Sequence, residues 1–179
     1  MATPPDFTAG SVLTAAQMNK IGSFLIKTQT VGTAVTSVVV SDVFSADYEN
    51  YRIRYTGGTT SASTATLALT LGSTATGYYY AVSGLSFAGV VQNGAAANTT
   101  AFLFGKTATA GMCAECIITK PFTADETGFM GSYVLMTTTG EGLSTFGYLN
   151  NTTSYTAFTI STSPTTLTGG TIEVYGLRD

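Results

Sequence analysis

The chain has no histidine and no tryptophan, two cysteines, four prolines, and charged side chains at only 9% of its 179 positions. Lacking histidine, it lacks the usual general base, the neutral-pH proton switch and the commonest metal ligand, so enzymatic readings start from a weak position. Seven basic residues against ten acidic ones leave a formal charge of -3. Those few, scattered cations cannot neutralise a row of phosphates, and no nucleic-acid partner is expected. No charged side chain occurs between Arg54 and Lys106, yet Thr, Ser, Gly and Asn interrupt that stretch throughout, so it is no membrane helix. The opening Met1-Ala-Thr-Pro-Pro-Asp6 has neither a basic region nor an apolar run, so no secretory signal and synthesis in a cytoplasm are expected.

Soluble domains usually carry about 25% charged residues, so other groups must cover this surface. The 35 Thr and 15 Ser supply that cover. From about Phe24 onward the pattern is strand and turn. Tyr51-Arg-Ile-Arg-Tyr55 alternates apolar and charged residues, and Thr66-Leu-Ala-Leu-Thr-Leu71 puts three leucines on one face, the period of half-buried strands. Similar short runs recur from Phe24 to Thr30, Val35 to Val40, Tyr78 to Val82, Ala101 to Phe104, Cys113 to Thr119, Tyr133 to Met136, Thr145 to Leu149, Tyr155 to Ser161 and Thr171 to Tyr175. Gly57-Gly58, Gly72-Ser73, Asn93-Gly94, Gly140-Glu-Gly142, Asn150-Asn151 and Gly169-Gly170 read as the turns between them. The pattern predicts an all-β protein, an antiparallel β-sandwich of jelly-roll type over residues 23–179.

Residues 1–22 differ. Thr14-Ala-Ala-Gln17 is a capping box, flanked at the staple positions by Leu13 and Met18, and encodes a short helix over about Ala15 to Ile21. Two turns are marginal in isolation, so this helical arm, with Pro4 and Pro5 extending its lead-in, must dock on something.

The candidate chemical groups each have a plain structural reading. Asp125 and Glu126 adjoin in an expected loop, and Asp42, Asp47 and Glu49 precede a strand. Paired carboxylates could hydrolyse a glycoside only across a sugar-sized cleft, and calcium would need further oxygen ligands, so solvated turns are expected. Tyr78 and Tyr80 share one strand face, with Tyr79 opposite, and would pack in the core, contact another subunit or stack on a sugar. Cys113 and Cys116 form one Cys-x-x-Cys with no second pair, so reduced thiols on a strand are expected, with no metal and no cofactor. Sequons at Asn98, Asn150 and Asn151 read as turn residues, and no hydroxyl has a histidine to activate it.

The segment Asp6-Phe-Thr-Ala-Gly-Ser-Val-Leu-Thr-Ala-Ala-Gln-Met-Asn19 resembles the opening of many structural proteins of tailed bacteriophages, where a phrase like F-T-A-G-x-V-L-T-A-A-x-M-N precedes a fibre or tail domain. Gly170-Thr-Ile-Glu-Val-Tyr-Gly-Leu177 looks like the last strand of small β-sandwich modules ending such proteins. The resemblance implies a non-enzymatic virion component, usually a homotrimer, with Phe7, Val12, Leu13 and Met18 of the arm buried against capsid, neck or tail proteins. A capsid decoration, cement or head-fibre role is expected, the alternative being a tail fibre or receptor-binding module for host surface glycans. Low charge and reduced cysteines suit a protein assembled in bacterial cytoplasm and held in a fixed assembly.

Overall fold

The computed structural model describes residues 22–178, and among these there is no helix. The arm residues Phe7, Val12, Leu13 and Met18 and the capping pair Thr14 and Gln17 lie outside the described residues.

Fourteen strands follow in order: β1 (Ser23–Thr30), β2 (Ser37–Val40), β3 (Asn50–Thr56), β4 (Thr59–Thr60), β5 (Ala65–Leu71), β6 (Tyr78–Ser86), β7 (Val91–Thr99), β8 (Phe102–Thr107), β9 (Met112–Thr119), β10 (Thr127–Leu135), β11 (Glu141–Leu149), β12 (Phe158–Ser161), β13 (Leu167–Thr168) and β14 (Thr171–Leu177). All pairs are antiparallel. The large sheet has the order β1-β14-β3-β9-β10-β11-β6-β7, a second has the order β2-β12-β5-β8, and β13 and β4 form a small ribbon. The two main sheets pack face to face as a β-sandwich, with β8 lying across β9, β10, β11 and β6.

Period-two alternation decides which side chains enter the core. Tyr51, Ile53 and Tyr55 on β3, Leu67, Leu69 and Leu71 on β5, and Met112, Ala114, Cys116 and Ile118 on β9 are buried between the sheets, while Arg52, Arg54, Cys113, Glu115 and Ile117 turn outward. Each fully buried leucine contributes about 1.5–3 kcal/mol. Phe102 of β8 meets Tyr78 of β6 edge-on at 4.8 Å and stacks on Phe129 of β10 at 4.4 Å, so one ring on the small sheet joins two strands of the large one.

Three core tyrosines use ring and hydroxyl together. The Tyr51 hydroxyl accepts from the Ser45 amide at 2.8 Å and donates to the Ser45 carbonyl at 2.9 Å. Tyr78 accepts from the Leu71 amide at 2.8 Å and donates to the Thr74 carbonyl at 3.1 Å, and Tyr55 donates to the Gly169 carbonyl at 3.0 Å. Each therefore fixes a connecting loop against the core. Burial pushes the phenols of Tyr55 and Tyr78 up to about 12.

Asn93-Gly94, expected as a turn, instead lies inside β7, paired with Ser83 and Val82 of β6. The reversal falls earlier, where Gly89 adopts φ +78 and the Ser86 amide donates to the Val90 carbonyl. Pairing along β6 overrides the local turn preference of Asn-Gly.

Candidate functional site

The two hairpins β6-β7 and β10-β11 extend the large sheet beyond β9, with β8 of the small sheet lying across β10, β11 and β6 on their inner side. The outer face of this extension is built in cross-strand rows. One row runs Arg52, Ile117, Met130, Phe146, Ala81, Ala95 across β3, β9, β10, β11, β6 and β7. The next runs Arg54, Glu115, Ser132, Ser144, Ser83, Asn93, and beyond it lie Cys113, Val134, Gly142, Leu85 and Val91. Apolar, polar and apolar bands thus alternate along the strands. On the other side of the first row, Tyr79 and Tyr148 stack at 5.2 Å with their planes 12° apart.

A shallow groove of about 540 Å³ crosses this face between Arg52 and Glu115 on one flank and Met130 and Phe146 on the other, with Ser132 and Ser144 beside it. A second, of about 400 Å³, continues it toward Arg54, Cys113 and Val134. The Arg52 guanidinium lies over the Tyr175 ring at 4.9 Å, and its buried Nε has no hydrogen-bond partner. In register, Arg54 stands between Glu115 and Glu173, so both charge signs meet at this border of the face.

Tyr78 is not on the surface: its ring is fully buried against Phe102, because β6 crosses the rim of the core at that residue. It cannot contact a glycan or another subunit, and of its three suggested roles the core one holds. Tyr80 is half-buried on the same side of β6, opposite Gly147 and Ala96. The aromatic side chain that β6 presents outward is Tyr79.

Cys113 and Cys116 turn to opposite faces of β9, the first exposed and the second buried, so they can neither bridge each other nor chelate one ion. Burial pushes the Cys116 thiol well up. Asp125 accepts from Lys120 Nζ at 2.8 Å and, through its other oxygen, from the Glu126 amide at 2.9 Å. The Lys120 hydrogen bond holds the Asp125 carboxyl below its ordinary value, and the same bond raises the Lys120 amine. Both side chains of this pair are exposed in a loop. Asp42 takes φ +56, and Asp47 accepts from the Ser45 hydroxyl at 3.0 Å. Among the described residues no three His, Cys, Asp or Glu side chains group as metal ligands. Asn151 accepts from the Thr153 amide at 2.8 Å, as a turn residue does.

Ile117, Met130, Phe146 and Tyr148 were not singled out by the sequence reading. The signal for Ile117 and Met130 is the run of apolar residues at both parities in Cys113 to Thr119 and in Phe129 to Met136, and for Phe146 and Tyr148 the two aromatics that alternate with Gly147 between Leu143 and Leu149, where a strand with one wet face would carry polar groups.

No protein-family model, no curated protein and no solved structure matches the chain.

Proposed function

We propose that the protein is a non-enzymatic structural component of a tailed-phage virion, a homotrimeric capsid decoration, cement or head-fibre protein attached through residues 1–22. The observation that carries this reading is the segment Asp6 to Asn19, which combines the phage-like phrase with a capping-box pattern, Thr14 to Gln17, for a helix too short to stand alone. The strand order supports a jelly roll behind it. Setting the two hairpins and the β4-β13 ribbon aside, the remaining eight strands pair outermost with outermost: β1 with β14, β2 with β12, β3 with β9, β5 with β8. Their order, β1-β14-β3-β9 over β2-β12-β5-β8, supports a double-sheet jelly roll, an architecture of viral capsid and lectin domains. Fold alone does not fix function, so the arm is what must be tested.

Protein lacking residues 1–22 is expected to remain a folded β domain and to lose co-sedimentation with phage particles. Full occupancy of particles by the truncated protein refutes the anchoring reading.

The second reading is a tail fibre or receptor-binding module for host surface glycans. The stacked, outward-facing pair Tyr79 and Tyr148 favours it, since such rings pack against sugar faces. Glycan-array binding abolished by Tyr79→Ala supports that reading; an array blank for the wild-type trimer removes it.

A further inference from the structure

Among the described residues twelve large apolar side chains are exposed, and ten of them lie on the outer face of β9, β10, β11, β6 and β7 or in the two turns at its end. Only Leu25 and Val39 lie elsewhere. Met130 is 66% exposed and Phe146 48%, side by side in one row. The turns at the end of the two hairpins meet, the Phe87 amide donating to the Gly140 carbonyl at 2.8 Å, so the turn that carries the exposed Phe87 and Val90 is tied to the β10-β11 turn. Two exposed apolar bands flanking an uncharged row of Ser132, Ser144, Ser83 and Asn93 mark an interaction site rather than a wet face.

We propose that this face, centred on Met130 and Phe146, is buried against a second copy of the chain, the copies turning it toward a common axis. The inference rests on the homotrimer of the proposed function but not on its virion location. Three features make a copy of the same chain the fitting occupant. The charged border carries Arg52 and Arg54 beside Glu115 and Glu173, so one surface offers both signs and two copies can match opposite charges across the joint. From β11 through β7 the face carries no charge apart from Glu141, which points inward, so nothing repels an identical neighbour. The face presents roughly two dozen residues, the 20–30 a side of a standard stable interface. It also ends at β7, an edge strand of nine residues without Lys, Glu or Pro, the devices that keep an edge from pairing.

The test uses the full chain and its native thiols. Cys113 lies on the proposed interface and Cys116 in the core. Wild-type protein is expected to run in light scattering as a multiple of 18.5 kDa. Met130→Asp/Phe146→Asp is expected to run at the single-chain mass with an unchanged far-ultraviolet spectrum, its Cys113 reacting with a maleimide roughly tenfold faster or more than in wild type. Should that variant misfold, Ser144→Arg, at an exposed polar position in the same face, carries the same expectation. Val39→Asp, on the other sheet, is expected to leave the mass unchanged. A monomeric wild type, an unchanged mass in both face variants, or dissociation by Val39→Asp overturns the proposal. So does a monomer that binds oligosaccharides and loses them on Phe146→Asp, which would give the face to carbohydrate. A failed arm deletion leaves this interface standing.

Discussion

Lys106 and Glu141 pair at 2.5 Å across the sandwich, joining β8 of the small sheet to the start of β11 in the large one. Tyr133 donates to the same Glu141 oxygen at 3.1 Å. Burial first, and the Glu141 carboxylate second, push the Tyr133 phenol far above its ordinary value. Both bonds fall on Glu141 Oε1, so one carboxylate oxygen takes the cation and the phenol together.

Removing one partner is therefore worse than removing both. Lys106→Met is expected to cost about 1–3 kcal/mol by leaving the Glu141 carboxylate buried without its cation. The double change Lys106→Met/Glu141→Gln is expected to recover most of that loss. Denaturant unfolding of Lys106→Met, Glu141→Gln and the double variant checks it, and additive losses would show that the pair is uncoupled.

Thr127 and Thr145 face the core with hydroxyls that have no hydrogen-bond partner. Valine has nearly the same shape and a higher preference for strands, so Thr145→Val is expected to stabilise the protein by about 0.5–2 kcal/mol. A melting temperature higher by roughly 2–6 °C is the expected reading, and a lower one contradicts the geometry.

Tyr48 lies flat over Gly176 of β14: a Cβ on residue 176 would stand 2.5 Å from Tyr48 Cγ. The ring is held from its other sides by Phe24, Tyr51 and the Arg178 guanidinium, so it cannot withdraw. Gly176→Ala is expected to cost about 1–3 kcal/mol, and Tyr48→Ala/Gly176→Ala less than the sum of the two single changes.

Alkali should unfold the protein through its core tyrosines. Tyr55 and Tyr78 titrate near 10 when unfolded and near 12 when folded, so between those values the unfolded chain binds fewer protons. Stability then falls as pH rises, from full strength below about 10. A melting temperature followed from pH 8 to 12 should drop over the upper half of that range, and less steeply in Tyr55→Phe. Tyrosinate absorbance rising for all phenols together near pH 10, with the protein still folded, would contradict this.

Much of the frame was readable from residue order alone. The alternation of Tyr51 to Tyr55 and of Thr66 to Leu71 gave both the strands and their buried sides, because one dry and one wet face impose a period of two. β7 was not readable: Val91 to Thr99 is small, polar and rich in alanine, and it is a strand only because β6 offers it a ladder. The buried state of Tyr78 was equally hidden, since alternation says which rings share a face but not where the covering sheet ends. The face around Met130 is a property of register: Ile117, Met130 and Phe146 sit on the consecutive strands β9, β10 and β11 and come side by side only once those strands pair.

β14 lies between β1 and β3, so the last of the described strands in chain order fills the gap between the first and its neighbour in space. During synthesis the large sheet therefore stays open until Thr171 to Leu177 has left the ribosome. A chain stopped short of it would carry two bare edges where the finished protein has none, available to proteases and to strand-grabbing neighbours alike.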